Sequence, residues 1–244
     1  MAPRRMSSTE HWPVEKIAGN LARPPRGRRC VLLTTGALNP IHRGHVAMFD
    51  RARDVLESEY DIDVVGGFLS PSHDSYLSGK YLSGKYLSGK RLSGKHRDET
   101  FFPAAQRLAL CAAATQDHPF LAVASWESSV SGRWPDFPEV TATLERVLDE
   151  RFPGEGIGVI YLCGQDHFGY AARARLPGVA VVTRAGRAER SDAARTIYAV
   201  PTASDDPCGQ MSSTQVREAL KNDDLQTLRS CLHPAVLAML LRWR

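Results

Sequence analysis

The sequence predicts an α/β fold, a doubly wound parallel sheet with helices on both faces. Two observations carry this. Past residue 28, near-continuous apolar runs alternate with amphipathic stretches of helical period, the pattern of strands buried on both faces and joined by crossover helices. The ends of the apolar runs also gather Gly36, Ser70, Trp126, Gly164 and Arg184. In such sheets ligands bind beyond the carboxyl ends of the strands, where strand order reverses.

Each element has its own signature. CVLLTTG (30–36) is apolar and β-branched until a glycine stops it, and 43–59 follows with helical period. DVVGGFLS (63–70) gives the second strand and 103–116 the next amphipathic helix. FLAVASW (120–126), a helix over 138–151, GVIYLCG (158–164) and a helix over 166–175 continue the alternation. GVAVVTR (178–184) and a weaker TIYAVP (196–201) complete six strands, with helices at 213–222 and 233–243. The apolar stretch VLAMLL (236–241) reads as core or as an interface in a homo-oligomer.

Composition limits the function classes. The longest apolar runs fall far short of a membrane span, so no membrane association is expected. Net charge is +4, but residues 1–29 carry seven basic residues against two acidic ones. The remainder is about neutral, so no basic nucleic-acid face is indicated. Residues 1–28 read as a basic, disordered N-terminal extension, and 29–244 as a single domain. The five cysteines (30, 111, 163, 208, 231) have no metal-like spacing, which points to a reduced cytoplasmic or nuclear setting. Mitochondrial targeting by the Arg-rich start is the alternative, opposed by Pro3, Pro13, Pro24 and Pro25.

One segment breaks the alternation. YLSGKYLSGKYLSGKRLSGK (76–95) is a four-fold pentapeptide repeat. A period of five suits neither helix nor strand, so an irregular loop insertion is expected. The repeat creates a P-loop-like spacing from Gly79 to Lys85, but Tyr86 stands where Ser or Thr would be needed.

The chemistry concentrates at two places. TTGALNPIHRGH (34–45) sets His42 and His45 three residues apart where a strand hands over to a helix. Two imidazoles and the exposed N–H groups of a helix start suit a phosphate, and Gly36 permits close backbone approach. Metal binding competes but lacks a third ligand nearby; a capping or surface role is the bland reading. MSSTQVREAL (211–220) places Ser212, Ser213 and Thr214 at a helix start with Arg217 one turn inside. That is an ordinary N-cap or a second polyphosphate cradle.

GALNPIHRGH resembles the (H/T)-x-G-H motif, and MSSTQVR the ISSTxxR motif, of nucleotidylyltransferases. GGFLSPSHDSYLSGK (66–80), ASWESS (124–129), YLCGQDHF (161–168) and VVTRAG (181–186) narrow the resemblance to eukaryotic-type nicotinamide/nicotinate mononucleotide adenylyltransferases. The matches run in family order from about residue 30 to 222. The resemblance implies the Rossmann-like nucleotidylyltransferase fold and adenylyl transfer from ATP to nicotinamide or nicotinic acid mononucleotide, giving NAD or deamido-NAD and pyrophosphate. A homo-oligomer is one outcome it allows.

Carried across by position, His45, His42 and Arg217 are the catalytic set. Gly36, Ala37, His42, His45, Lys80, Ser213, Thr214, Gln215, Val216 and Arg217 would bind ATP. Tyr76, Trp126, Glu127, Gly164, Asp166 and Arg184 would bind the mononucleotide, with Trp126 stacking on the pyridine ring. A helix N-cap is the other use of Asp166, and a surface arginine the other reading of Arg184. Lys80, Lys85, Lys90 and Lys95 share one local context, so the repeat leaves open which of them meets ATP. Mg²⁺ is expected as the ion carried by the ATP phosphates, with no protein ligand. The chain departs from the resemblance in FGYAARARLPGV (168–179), which lacks a second tryptophan to stack on the ring. Another phosphate-bearing acceptor and a non-catalytic, chaperone-like nucleotide binder are the rival readings.

Overall fold

β1 (Arg28–Gly36), β2 (Ile62–Pro71), β3 (Leu121–Val123), β4 (Gly158–Gly164), β5 (Val179–Val182) and β6 (Ile197–Val200) form one six-stranded sheet. They are ordered β3-β2-β1-β4-β5-β6 with every neighbouring pair parallel. The computed structural model describes residues 8–82, 101–183, 191–192, 196–203 and 206–243. The order reverses between β1 and β4, which is the switch point of a doubly wound sheet.

The helices are α1 (Glu15–Leu21), α2 (Arg43–Glu59), α3 (Asp74–Leu82), α4 (Ala104–Thr115) and α5 (Trp126–Ser129). They continue with α6 (Phe137–Arg151), α7 (Gln165–Ala171), α8 (Ser213–Lys221), α9 (Leu225–Cys231) and α10 (Pro234–Arg242). One sheet face packs on α2, α4, α8, α9 and α10 through residues such as Phe49, Leu110, Val216, Leu228 and Leu240. The other packs on α1, α6 and α7 through Ile17, Leu144 and Ala171. The glycine pair in β2 serves both faces, because side chains alternate along a strand. A Cβ on Gly66 would lie 2.6 Å from Ile17 of α1, and one on Gly67 2.6 Å from Leu121 and 2.9 Å from Phe49 of α2.

The structure corrects four expectations. Residues 8–28 are not a disordered extension: a 3-10 turn (Ser8–His11) and α1 lie on the sheet, and Trp12, Val14 and Ile17 are buried. Lys16 Nζ donates to the carbonyls of Thr115, His118 and Leu121, and Trp12 meets Phe68 edge-on at 5.1 Å. The third strand stops at Val123 rather than running to 126. The Ala124 N–H still reaches Leu69 O, but the Ser125 N–H turns to His11 O and Trp126 begins α5. The start of the repeat is helical, since α3 runs from Asp74 to Leu82; residues 83–95 lie outside the described ones. The helix after β4 ends at Ala171, four residues early.

Candidate active site

β1 delivers the first motif to the switch point. Leu33 lies opposite Tyr161, and each strand runs three residues further, to Gly36 and Gly164. A Cβ on either glycine would meet nothing within 4 Å, so open space lies above both strand ends. The chain then turns through Leu38, buried at φ +45°, and the cis Asn39–Pro40 peptide before entering α2. A left-handed leucine is strained and persists only where its surroundings hold it.

His42 is the N-cap of α2 and His45 its third residue. Their rings lie 3.8 Å apart, and the His42 N–H donates to His45 Nδ1 at 3.2 Å. Accepting at Nδ1 leaves the His45 proton on Nε2, so that edge of the ring is a donor. Burial pushes the His42 imidazole down to about 4. Burial, then the neighbouring His42, holds His45 well below the usual histidine range. Both are therefore neutral near pH 7. The His45 N–H is used on His42 O, leaving the amides of Arg43 and Gly44 open at the helix start among the described residues.

The second motif docks directly on this loop. Ser213 Oγ donates to Pro40 O at 2.8 Å, and Arg217 donates to Asn39 O at 2.7 Å and Thr214 Oγ1 at 3.2 Å. Ser212 caps α8 by accepting from the Gln215 N–H. The Val216 N–H goes to Ser212 O, and the Val216 side chain is in the core. The amides of Gln215 and Val216 are thus committed, and those of Ser213 and Thr214 are the open ones among the described residues. Arg217, expected to face polyphosphate, is buried and ties the two motifs together.

Across the sheet, Trp126 starts α5 and rests partly buried on the core, not at a strand end. Glu127 behind it is buried and accepts from Ser70 Oγ at 2.6 Å. Burial raises its carboxyl to about 7 against the bonds from Ser70 and Ser72 and the Arg107 charge, with Asp136 adding to the rise. Asp166 is exposed in the first turn of α7, whose N-cap is Gly164, so the capping alternative is not realised. Tyr76 on α3 faces Trp134 at 6.5 Å between ring centroids. Lys80 falls on the same helix, though its side chain is outside the described residues, as are Lys85, Lys90, Lys95 and Arg184 entirely.

Sequence reasoning missed Arg107. A lone arginine among alanines and leucines on α4 reads as surface, yet this side chain is fully buried. It donates to Ala37 O, Ser72 O, Phe102 O and Asp74 at 2.7–2.9 Å. With Asn39 Oδ1 accepting from the Phe102 N–H, it holds the strained turn from one side while Arg217 holds it from the other. Trp134, half exposed beside Tyr76, was also missed; only its position eight residues past Trp126 hinted at it.

Comparison with known proteins agrees with the motifs. No protein-family model matches the chain. It is 30% identical over 160 residues to the nicotinamide/nicotinic acid mononucleotide adenylyltransferase of Arabidopsis thaliana, across 63% of this chain and 56% of that protein. It is 36% identical over 97 residues to nicotinamide/nicotinic acid mononucleotide adenylyltransferase 2 of Xenopus tropicalis, across 40% of this chain and 25% of that protein. The chain thus spans about half the length of the Arabidopsis relative, and less of the frog one. Plasmodium falciparum nicotinic acid mononucleotide adenylyltransferase complexed with APC superposes with a TM-score of 0.58 at 12% identity, over 88% of this chain and 96% of that one. The same enzyme complexed with NaAD gives 0.52. The doubly wound fold is therefore shared, and the resemblance read from the motifs holds: over the matched stretch this chain is similar to the nicotinamide/nicotinic acid mononucleotide adenylyltransferases.

Proposed function

We propose that the chain transfers the adenylyl group of ATP to nicotinamide or nicotinic acid mononucleotide, releasing pyrophosphate. The observation that carries this is the junction of the two motifs. Ser213 and Arg217 hold the start of α8 against the loop that leads into α2, beside the open ends of β1 and β4. Two helix starts with open amides and the His45 Nε2–H then offer donors to one polyphosphate. The relatives and the fold point to the same chemistry.

In this reading a 5′-phosphate oxygen of the mononucleotide attacks the α-phosphorus of ATP. The bond to the bridging oxygen breaks, and pyrophosphate takes the electron pair. No protein nucleophile is needed, so catalysis is positioning plus stabilisation of charge on the phosphate oxygens. His45 donates from Nε2, with His42 orienting it through the N–H···Nδ1 bond. The amides of Arg43, Gly44, Ser213 and Thr214 add fixed donors, and the Arg217 charge stands behind them. Lys80 or another repeat lysine, and Gly36 with Ala37, complete the ATP side. Tyr76, Trp126, Glu127, Gly164, Asp166 and Arg184 form the mononucleotide side, with Trp126 as the stacking ring.

The donors around this loop suit phosphate oxygens rather than a cation, so Mg²⁺ enters as the ion bound to ATP. When bound it neutralises charge on the departing pyrophosphate.

The test is product formation. Purified protein with ATP, Mg²⁺ and either mononucleotide should yield NAD or deamido-NAD. His45→Ala should lower kcat by about 100-fold, as loss of one transition-state donor does, with ATP affinity retained. Absence of product from both mononucleotides, with ATP still bound, would redirect the reading to another phosphate-bearing acceptor.

A further inference from the structure

We propose that His11 is a positioning residue for the mononucleotide side, acting through Ser125 on the helix that carries Trp126 and Glu127. The proposal rests on the adenylyl-transfer reading for its effect on substrate and on geometry alone for the tie. α5 is only four residues long, too short to keep its own orientation. Its direction must come from outside. At its back Glu127 is held by Ser70 of β2. At its front Ser125 is the N-cap residue, yet its side chain makes no cap bond. Its Oγ instead meets His11 Nδ1 at 2.8 Å, and its N–H donates to His11 O at 3.1 Å. One residue, 114 positions away in sequence, thus takes both the hydroxyl and the N–H of Ser125, while the Ser125 carbonyl accepts from Ser128 and Ser129 within α5.

His11 can hold α5 because it is itself anchored. The adjoining Trp12 is 2% exposed and packs on Phe68, two residues before Ser70 on the same strand. Ile17 fills the space left by Gly66, and Lys16 is fixed by three carbonyls. The segment 8–21 is therefore a strap that lies on β2 through Trp12 and meets the start of α5 through His11, while β2 holds Glu127 through Ser70. Among the described residues, the hydrogen bonds of His11 go to Ser125 and none to α2 or α8. Burial lowers the His11 imidazole against the pull of Glu10, so the contact is one of neutral groups near pH 7.

The experiment compares His11→Ala and His11→Asn in the full chain. His11→Ala should raise KM for the mononucleotide about fivefold, the value of one hydrogen bond, with KM for ATP unchanged. His11→Asn, whose carboxamide can reach the place of Nδ1, should restore it. Hydrogen exchange at the amides of 125–129 should quicken in His11→Ala and recover in His11→Asn. Equal rises in both KM values with a lowered Tm, or unchanged exchange at 125–129, would overturn the proposal. Should the wild-type protein turn over neither mononucleotide, the reaction fails as a reading while the exchange result still judges the tie.

Discussion

A buried imidazole with no water to spread its charge gives up its proton more readily, and His42 and His45 stand at that end of the scale. A neutral ring still donates one hydrogen bond, from the nitrogen that keeps its proton, and can place it on a phosphate oxygen. His42 should therefore titrate near 4 rather than near 6.5, as its ring resonances across a pH series would report. Glu127 shifts the opposite way, to about 7. The folded state then holds a proton that the unfolded state releases between about 4.5 and 7. Its favourable contribution is complete below the unfolded value and is lost as pH rises through 7. At pH 8 the ionised, buried carboxylate costs up to about 3 kcal/mol relative to its acid form. Glu127→Gln, which keeps an oxygen for Ser70, should be more stable than wild type at pH 8. That gain should shrink towards zero by pH 4.5 in urea unfolding. A gain independent of pH would contradict the assignment.

At the level of elements, α4 does more than cover the sheet. Arg107 reaches from it to the carbonyls of Ala37, Ser72 and Phe102 and to Asp74, and so holds the turn that feeds α2. Arg107→Met removes four donors' worth of contacts from buried or half-buried acceptors. It should cost on the order of 3 kcal/mol, seen as a lowered midpoint in urea; a loss under 1 kcal/mol would show that the other contacts of the loop hold it without Arg107. Most strands were legible because β1, β2 and β4 are each built on an apolar run (30–33, 64–69 and 158–164), a signal that survives without any tertiary knowledge. The early end of β3 was not, because the cause is His11, far away in sequence. Arg107 was hidden for the same reason: one charged residue in an apolar helix declares its burial only through partners at 37, 72 and 74. The strap was hidden by Pro13 and the basic residues, which mask the apolar set Trp12, Val14 and Ile17.

For the molecule as a whole, the two sheet faces divide the labour. The face under α2 and α8 carries the motif junction, and the face under α1 supports the strap and α5. The double glycine of β2 lets both layers approach. Gly66→Ala would set a Cβ 2.6 Å from Ile17 and should destabilise by about 1–3 kcal/mol through overpacking. Calorimetry would read this as a lower Tm, and an unchanged Tm would mean that the strap yields freely. The two motifs were readable because each is a short run of residues in a fixed order. Their docking, through Ser213 on Pro40 and Arg217 on Asn39, was visible only in three dimensions. In the proposed reaction this junction directs attack on the α-phosphorus of ATP. ATP labelled at that phosphorus, incubated with Mg²⁺ and each mononucleotide, tests it most directly. Label should pass to NAD or deamido-NAD and not to pyrophosphate; label confined to ATP, ADP or AMP would rule out adenylyl transfer to the mononucleotide.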